Sequence, residues 1–194
     1  MHRERMRGFR VAVMDPFAVI NKYYVSGSRA YHFLTEHGRM VAGKAEQIAR
    51  RVGYLNPDVK FIREAALLHD IGILFTTQPG IGCFGDKPYV CHGYLGRELL
   101  ESEGLPVHAL VCERHVGAGI TRKEIEENGL PVPHRDMIPV SIEEQIICYA
   151  DKFFSKDTES LHQAKPLERV RRVISLYGEE QLHRFNEWVR LFET

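Results

Sequence analysis

The chain has 194 residues, and its 26 Lys plus Arg are balanced by 26 Asp plus Glu, with ten His besides. That length fits one domain that buries a core without disulfide staples, and 44% apolar with 27% charged residues is an ordinary globular composition. Zero net charge argues against a general nucleic-acid binder, no run of about 18 apolar residues exists to cross a membrane, and the charged N-terminus lacks the apolar stretch of a signal peptide.

Helix patterns dominate. Asp15 followed by Pro16 starts a short helix over residues 16–23. A long one is expected over about 28–52, with Phe33, Leu34, His37, Val41, Ala45, Ile48 and Val52 on one face and Gly53 as its stop. Asn56-Pro57-Asp58 supplies an N-cap, a proline at the first position and an acid in the first turn. The helix it opens is expected to run from 57 to 71 and to end at Gly72. Residues 74–89 carry four Gly or Pro turn signals and read as a long irregular loop, a candidate lid in which Phe84 and Tyr89 could stack on a ring.

Further helices are expected over 90–103 and 106–114. Thr121-x-x-Glu124 is a capping box opening a helix to about 128, and Ser141-x-x-Glu144 is a second, opening one to about Lys156. Three prolines make 130–140 a loop. Two more helices follow, one with Leu167, Val170, Val173, Ile174 and Tyr177 in phase up to Gly178, the other with Leu182, Phe185, Val189 and Phe192. Nothing shows sustained period-2 alternation, so the class is all-α. Cys83, Cys91, Cys112 and Cys148 have no C-x-x-C spacing and read as reduced core thiols of a cytoplasmic chain.

The polar residues fall unexpectedly on these helices. His37 lies in an apolar stripe. His69 and Asp70 follow the run Ala65-Ala66-Leu67-Leu68, His92 is in phase with Leu95 and Leu99, His115 comes four residues after Val111, and Asp151 sits one turn after Ile147. Taken singly, each is a satisfied core histidine or an ion-pair partner. Six inward-pointing groups would each need a partner, because unpaired burial is expensive, and one shared metal centre satisfies them together. His2, His32, His108, His134, His162 and His183 fall off these faces, with His134 in a loop that could edge the site.

The order His37, His69-Asp70, His92, His115, Asp151 resembles that of the HD-domain superfamily of metal-dependent phosphohydrolases. Leu67-Leu68-His69-Asp70-Ile71-Gly72 is similar to the signature of its HDIG branch, and the helix around His37 resembles the one bearing the first ligand, with Gly38 where a small polar residue is usual. The resemblance spans about residues 30–156. It implies an HD-type helical bundle over 28–157, preceded by an N-terminal segment (1–27) and followed by a C-terminal helical extension (158–194). It implies a divalent metal on His37, His69, Asp70 and Asp151, with His92 and His115 as the ligands that two-metal subfamilies add and Asp70 bridging. Fe, Mn, Zn, Ni or Mg suits such a set.

The activity expected is hydrolysis of a small phosphorylated metabolite or nucleotide by a metal-activated water, with no membrane or nucleic-acid partner. Asp70 and Lys152 are the expected catalytic pair. Lys152 is the favoured phosphate contact, ahead of Arg114, Lys87, Arg97 and Arg135. The alternatives are an HD-type di-iron oxygenase and a non-catalytic metal-bound sensor. The last helices could cover the core or make a homodimer contact.

Overall fold

The computed structural model describes residues 14–155 and 162–193. Helix α1 (Pro16–Tyr23) starts on Asp15, whose carboxylate accepts from Phe17 N at 3.0 Å. Helix α2 (Arg29–Arg51) starts on the Ser28 hydroxyl and buries the predicted stripe, His37 included. Helix α3 (Val59–Leu68) packs along α2. The close approach occurs at Gly38, where a Cβ would lie 3.2 Å from Leu67 Cα.

Helix α3 is shorter at both ends than its sequence suggests. Its N-cap is Asp58, which accepts from Phe61 N at 2.9 Å. Asn56 instead takes the left-handed conformation (φ 53°) that closes a 3-10 turn over Gly53–Leu55. Asn tolerates that region better than most residues, so the cap moves two positions on. At the other end α3 stops at Leu68, and a 3-10 turn over Ile71–Phe75 follows. Gly72 therefore lies past the helix end. It is small for another reason: a Cβ there would meet His92 O at 2.1 Å and Gly96 N at 2.4 Å.

The segment expected to be irregular holds a small antiparallel hairpin, β1 (Thr77–Gln78) with β2 (Cys83–Phe84). Ile81 and Cys83 anchor it in the core, whereas Phe84 is exposed. Helices α4 (His92–Ser102) and α5 (Pro106–Arg114) pack against each other, and α4 packs against the 3-10 turn over Ile71–Phe75. Helix α6 (Arg122–Asn128) has the full capping box between Thr121 and Glu124. Helix α7 (Ile142–Asp151) has half of one: Ser141 accepts from Glu144 N, but the Glu144 carboxylate accepts from Val140 N and from Arg114. It ends at Asp151, short of the expected Lys156, which lies outside the described residues together with the expected boundary at 157.

Helices α8 (Leu167–Ser175) and α9 (Glu179–Phe192) complete the fold. Phe185, Trp188 and Phe192 of α9 are buried in the main core, where Phe185 and Phe192 contact the Tyr149 ring of α7 at 5.1 and 5.3 Å. A second core joins α1, the first turns of α2, the 3-10 turn and the facing sides of α4 and α5. Among the described residues the regular secondary structure is helical apart from the hairpin, and no helix is long and apolar enough to cross a membrane.

Candidate metal centre

The six singled-out side chains come from separate places in the chain. His37 lies in mid-α2, His69 is the residue that ends α3, and Asp70 is the first residue out of that helix. His92 opens α4, His115 ends α5 and Asp151 ends α7. All six are buried, none more than 4% exposed. Four of them, His69, His92, His115 and Asp151, are held by helix termini, where the chain direction changes and a side chain can be aimed across the core.

The six converge on two adjacent poles. At one, His37 Nε2 lies 2.9 Å from Asp151 Oδ1 and 3.5 Å from Asp70 Oδ2, while His69 Nε2 lies 3.5 and 3.7 Å from the same two oxygens. At the other, His92 Nε2 and His115 Nε2 lie 3.2 and 3.1 Å from Asp70 Oδ1 and 3.1 Å from each other. Asp70 thus divides its carboxylate between the poles. Ligand atoms from three overlapping trios, His37/His69/Asp70, His69/His115/Asp151 and Asp70/His92/His115, lie within 4.8 Å of one another and could hold a metal ion.

Protonation sharpens this. His69, His92 and His115 each point Nδ1 at the carbonyl three residues back, Ala66 O at 2.6 Å, Tyr89 O at 2.5 Å and Cys112 O at 2.7 Å. A carbonyl only accepts, so Nδ1 carries the proton, and a ring that is neutral then offers its lone pair at Nε2. Burial lowers the His37 pKa and pushes that of His115 down to about 3, so both rings are neutral near pH 7. When His92 is neutral too, two imidazole lone pairs and a carboxylate oxygen face one another at the second pole. A cation satisfies three converging acceptors; another acceptor does not. Backbone carbonyls holding Nδ1–H are also what orients and tautomerises metal-binding histidines.

The thiols are bystanders. Cys112 Sγ donates to His69 O at 2.8 Å and Cys148 Sγ to His115 O at 3.3 Å. Burial pushes the Cys148 thiol up to about 12, so it is neutral, and it donates to the backbone of the candidate ligand His115. The donor set is imidazole and carboxylate, which suits Fe, Mn, Zn or Ni.

Beside the centre lies a cavity of about 600 Å³, lined by His92, His115, Asp151 and Lys152 among others. The Lys152 ammonium donates to Asp151 Oδ2 at 2.7 Å and to His115 O at 2.8 Å, linking two candidate ligand positions at the cavity wall. The other four candidate cations do not line it. Arg114 holds both oxygens of Glu144 at 3.0 Å, so it ties the end of α5 to the start of α7. Arg97 and Arg135 clamp the buried Glu113 from two sides. Lys87 pairs with its neighbour Asp86 on the surface.

Of the loop aromatics, Tyr89 lines the cavity and packs on His92 with ring centroids 4.6 Å apart; Phe84 points to solvent. His32, His134, His162 and His183 are exposed, His108 lies 3.7 Å from Glu64, and His2 falls outside the described residues. Sequence reasoning missed Lys165, Tyr177 and Gln181, which also line the cavity, and the Glu113 clamp. A lone Lys before a Pro carries no signal of its own, and Glu113 on a short helix looks like any surface acid.

The HD-domain model matches residues 34–155. The chain belongs to the HD-domain family. It is 35% identical over 160 residues to an uncharacterized protein of Methanocaldococcus jannaschii, an alignment covering 75% of this chain and 86% of that one. It is also 32% identical to a tRNA (cytidine(56)-2′-O)-methyltransferase of Thermoplasma volcanium, over 78% of this chain but 40% of the relative. A methyltransferase of the same name from Picrophilus torridus is 34% identical over 57% of this chain and 29% of its own length. The chain thus spans well under half of each methyltransferase. No solved structure matches it significantly.

Proposed function

We propose that the chain is a metal-dependent phosphohydrolase that cleaves a phosphoester of a small metabolite or nucleotide at a centre holding two divalent ions. The observation that carries the reading is the meeting of His92 Nε2, His115 Nε2 and Asp70 Oδ1 within 3.2 Å, three acceptors beside a second pole of His37, His69 and Asp151. Membership of the HD-domain family supports it. A pair of divalent ions supplies an activated water and a clamp for phosphoryl oxygens.

The chain's own groups do the rest. Asp70 serves both poles with one carboxylate. The Nδ1–H bonds to backbone carbonyls hold the histidine rings in place before any ligand arrives. Lys152 donates to Asp151 and adds positive charge where phosphoryl oxygens enter. Most of the remaining lining is apolar. The neutral overall charge favours a small phosphorylated substrate over the tRNA named for two relatives, which are much longer proteins.

The test is phosphate release by purified protein loaded in turn with Mn, Fe, Ni, Zn or Mg, over a panel of phosphomonoesters and nucleotides. Release is expected from at least one ester class and is expected to vanish in Asp70→Asn. Metal-replete protein that releases phosphate from nothing, or iron-loaded protein that instead consumes O2 with an organic substrate, overturns the reading.

A further inference from the structure

The cavity beside the centre has two unlike walls. One is the charged wall of ligands and Lys152. The other belongs to α8 and the turn after it, through Val170, Val173, Ile174, Leu176 and Tyr177, none of which lies in the span matched by the family model. Of the polar side chains in this second region, Gln181, Glu124 and Lys165 are engaged with the protein, while Tyr177 and Asn128 are exposed. Gln181 accepts from Ala118 N at 2.9 Å and donates to Glu124 Oε1 at 3.0 Å. Glu124 Oε2 also accepts from the Thr121 amide and hydroxyl, and Lys165 Nζ donates to Phe154 O at 2.9 Å. A sugar or base lodged here would bury hydroxyls and amides against groups already engaged, and an unmade buried hydrogen bond costs about 1–3 kcal/mol. An apolar body loses nothing there. The volume, about 600 Å³, falls within the roughly 300–1,000 Å³ of pockets that enclose a small organic ligand.

We infer that α8 is the specificity wall of this chain, and that the substrate is a phosphomonoester whose alcohol part is an alkyl or aryl group. The phosphate lies at Lys152 and the centre; the apolar part lies against Val173, Ile174 and Tyr177. This deepens the phosphohydrolase reading and rests on it for the phosphate end alone.

The test is calorimetric titration of the full-length, Mn-loaded protein with methyl-, butyl- and octylphosphonate and with a ribose-bearing phosphonate, none of which can be hydrolysed. Affinity is expected to rise about two- to fourfold per methylene until the cavity fills. Val173 is 37% exposed, so a charge there is compatible with folding. Val173→Asp is expected to weaken octylphosphonate at least tenfold and methylphosphonate far less, by charge repulsion alone, while Val173→Leu keeps the chain-length dependence. Should circular dichroism show that Val173→Asp is unfolded, Tyr177→Ser at a 54% exposed site is the second variant, with the same expected split.

Affinity independent of chain length, a ribose phosphonate binding as tightly as octyl, or equal losses for methyl and octyl in the variant overturns the inference. Chain-length-dependent binding without phosphate release from octyl phosphate upholds the wall and overturns the hydrolase reading. Release from sugar or nucleoside monophosphates with no preference for alkyl esters does the reverse.

Discussion

Replacing Gly72 by alanine tests how closely α4 must approach the candidate centre. The added Cβ would meet His92 O at 2.1 Å, Gly96 N at 2.4 Å and Gly96 Cα at 2.8 Å. Real Cβ contacts do not fall below 3.0 Å, so α4 must withdraw by about 0.9 Å at least. All three atoms are backbone, and no side-chain rotation relieves the clash. Overpacking a tight interior costs about 1–3 kcal/mol, and a contact that only a helix shift can relieve belongs at the upper end, about 3 kcal/mol. For a chain of this size each kcal/mol lowers Tm by roughly 2–4 °C, so Gly72→Ala is expected to melt about 6–12 °C below the parent.

The clashing His92 carbonyl belongs to a ligand residue, so bound metal is expected to fall as well. Gly43→Ala is the control: Gly43 lies on the exposed side of α2, and a Cβ there meets nothing within 4 Å. Filling a helix-interior glycine gains about 0.5–1 kcal/mol, so this variant is expected to match or exceed the parent Tm. Differential scanning calorimetry of both, with metal content by mass spectrometry, is the assay. A Gly72→Ala protein melting within about 2 °C of the parent with its metal intact would refute the close-approach argument.

Two further outcomes follow from the geometry. His92→Ala and His115→Ala are each expected to lower bound metal from about two ions to about one per chain, whereas Asp70→Asn, which serves both poles, lowers it further; unchanged content in all three sinks the two-pole arrangement. Metal-free protein is expected to lose stability as pH falls below about 6.5. His115 has a folded pKa of about 3, below its unfolded value of 6.5, and His37 is lowered too, so the unfolded chain binds more protons in this window. The stability His115 contributes is complete above pH 6.5 and is lost towards pH 3, with a slope approaching about 1.4 kcal/mol per pH unit, and His37 acts in the same direction. Urea titrations of chelator-treated protein between pH 7 and 4 read this directly, and a flat profile contradicts the burial of neutral histidines.

Much of the helix order was legible because its signals are local. Asp15-Pro16, Ser28 and the Thr121–Glu124 box act within three residues of the helix start, and all three open helices where their spacing predicts. Where local signals competed, reading alone went astray. Asn56 and Asp58 can both cap, and the left-handed turn at Asn56 settled it. Gly72 looks like a helix stop, yet its size serves a contact with α4 some twenty residues on. The Ser141–Glu144 pair reads as a box, but Glu144 is drawn to Arg114.

The same division runs through the candidate centre. Amphipathic phase alone marks His37, His69, His92, His115 and Asp151 as inward-facing, since a helix of 3.6 residues per turn leaves little choice of face. Only the packed chain brings His37 and Asp151, 114 residues apart, to 2.9 Å, and only there does Asp70 serve both poles. The fate of the cations was equally non-local: Arg97, Arg114 and Arg135 are held by carboxylates 16, 30 and 22 residues away, and Lys152 remains at the cavity. Capping and periodicity are energies of neighbours within about a turn, and a sequence states them outright. Ion pairing, close backbone approach and the α8 wall are energies of distant segments, and they exist only once the chain has packed.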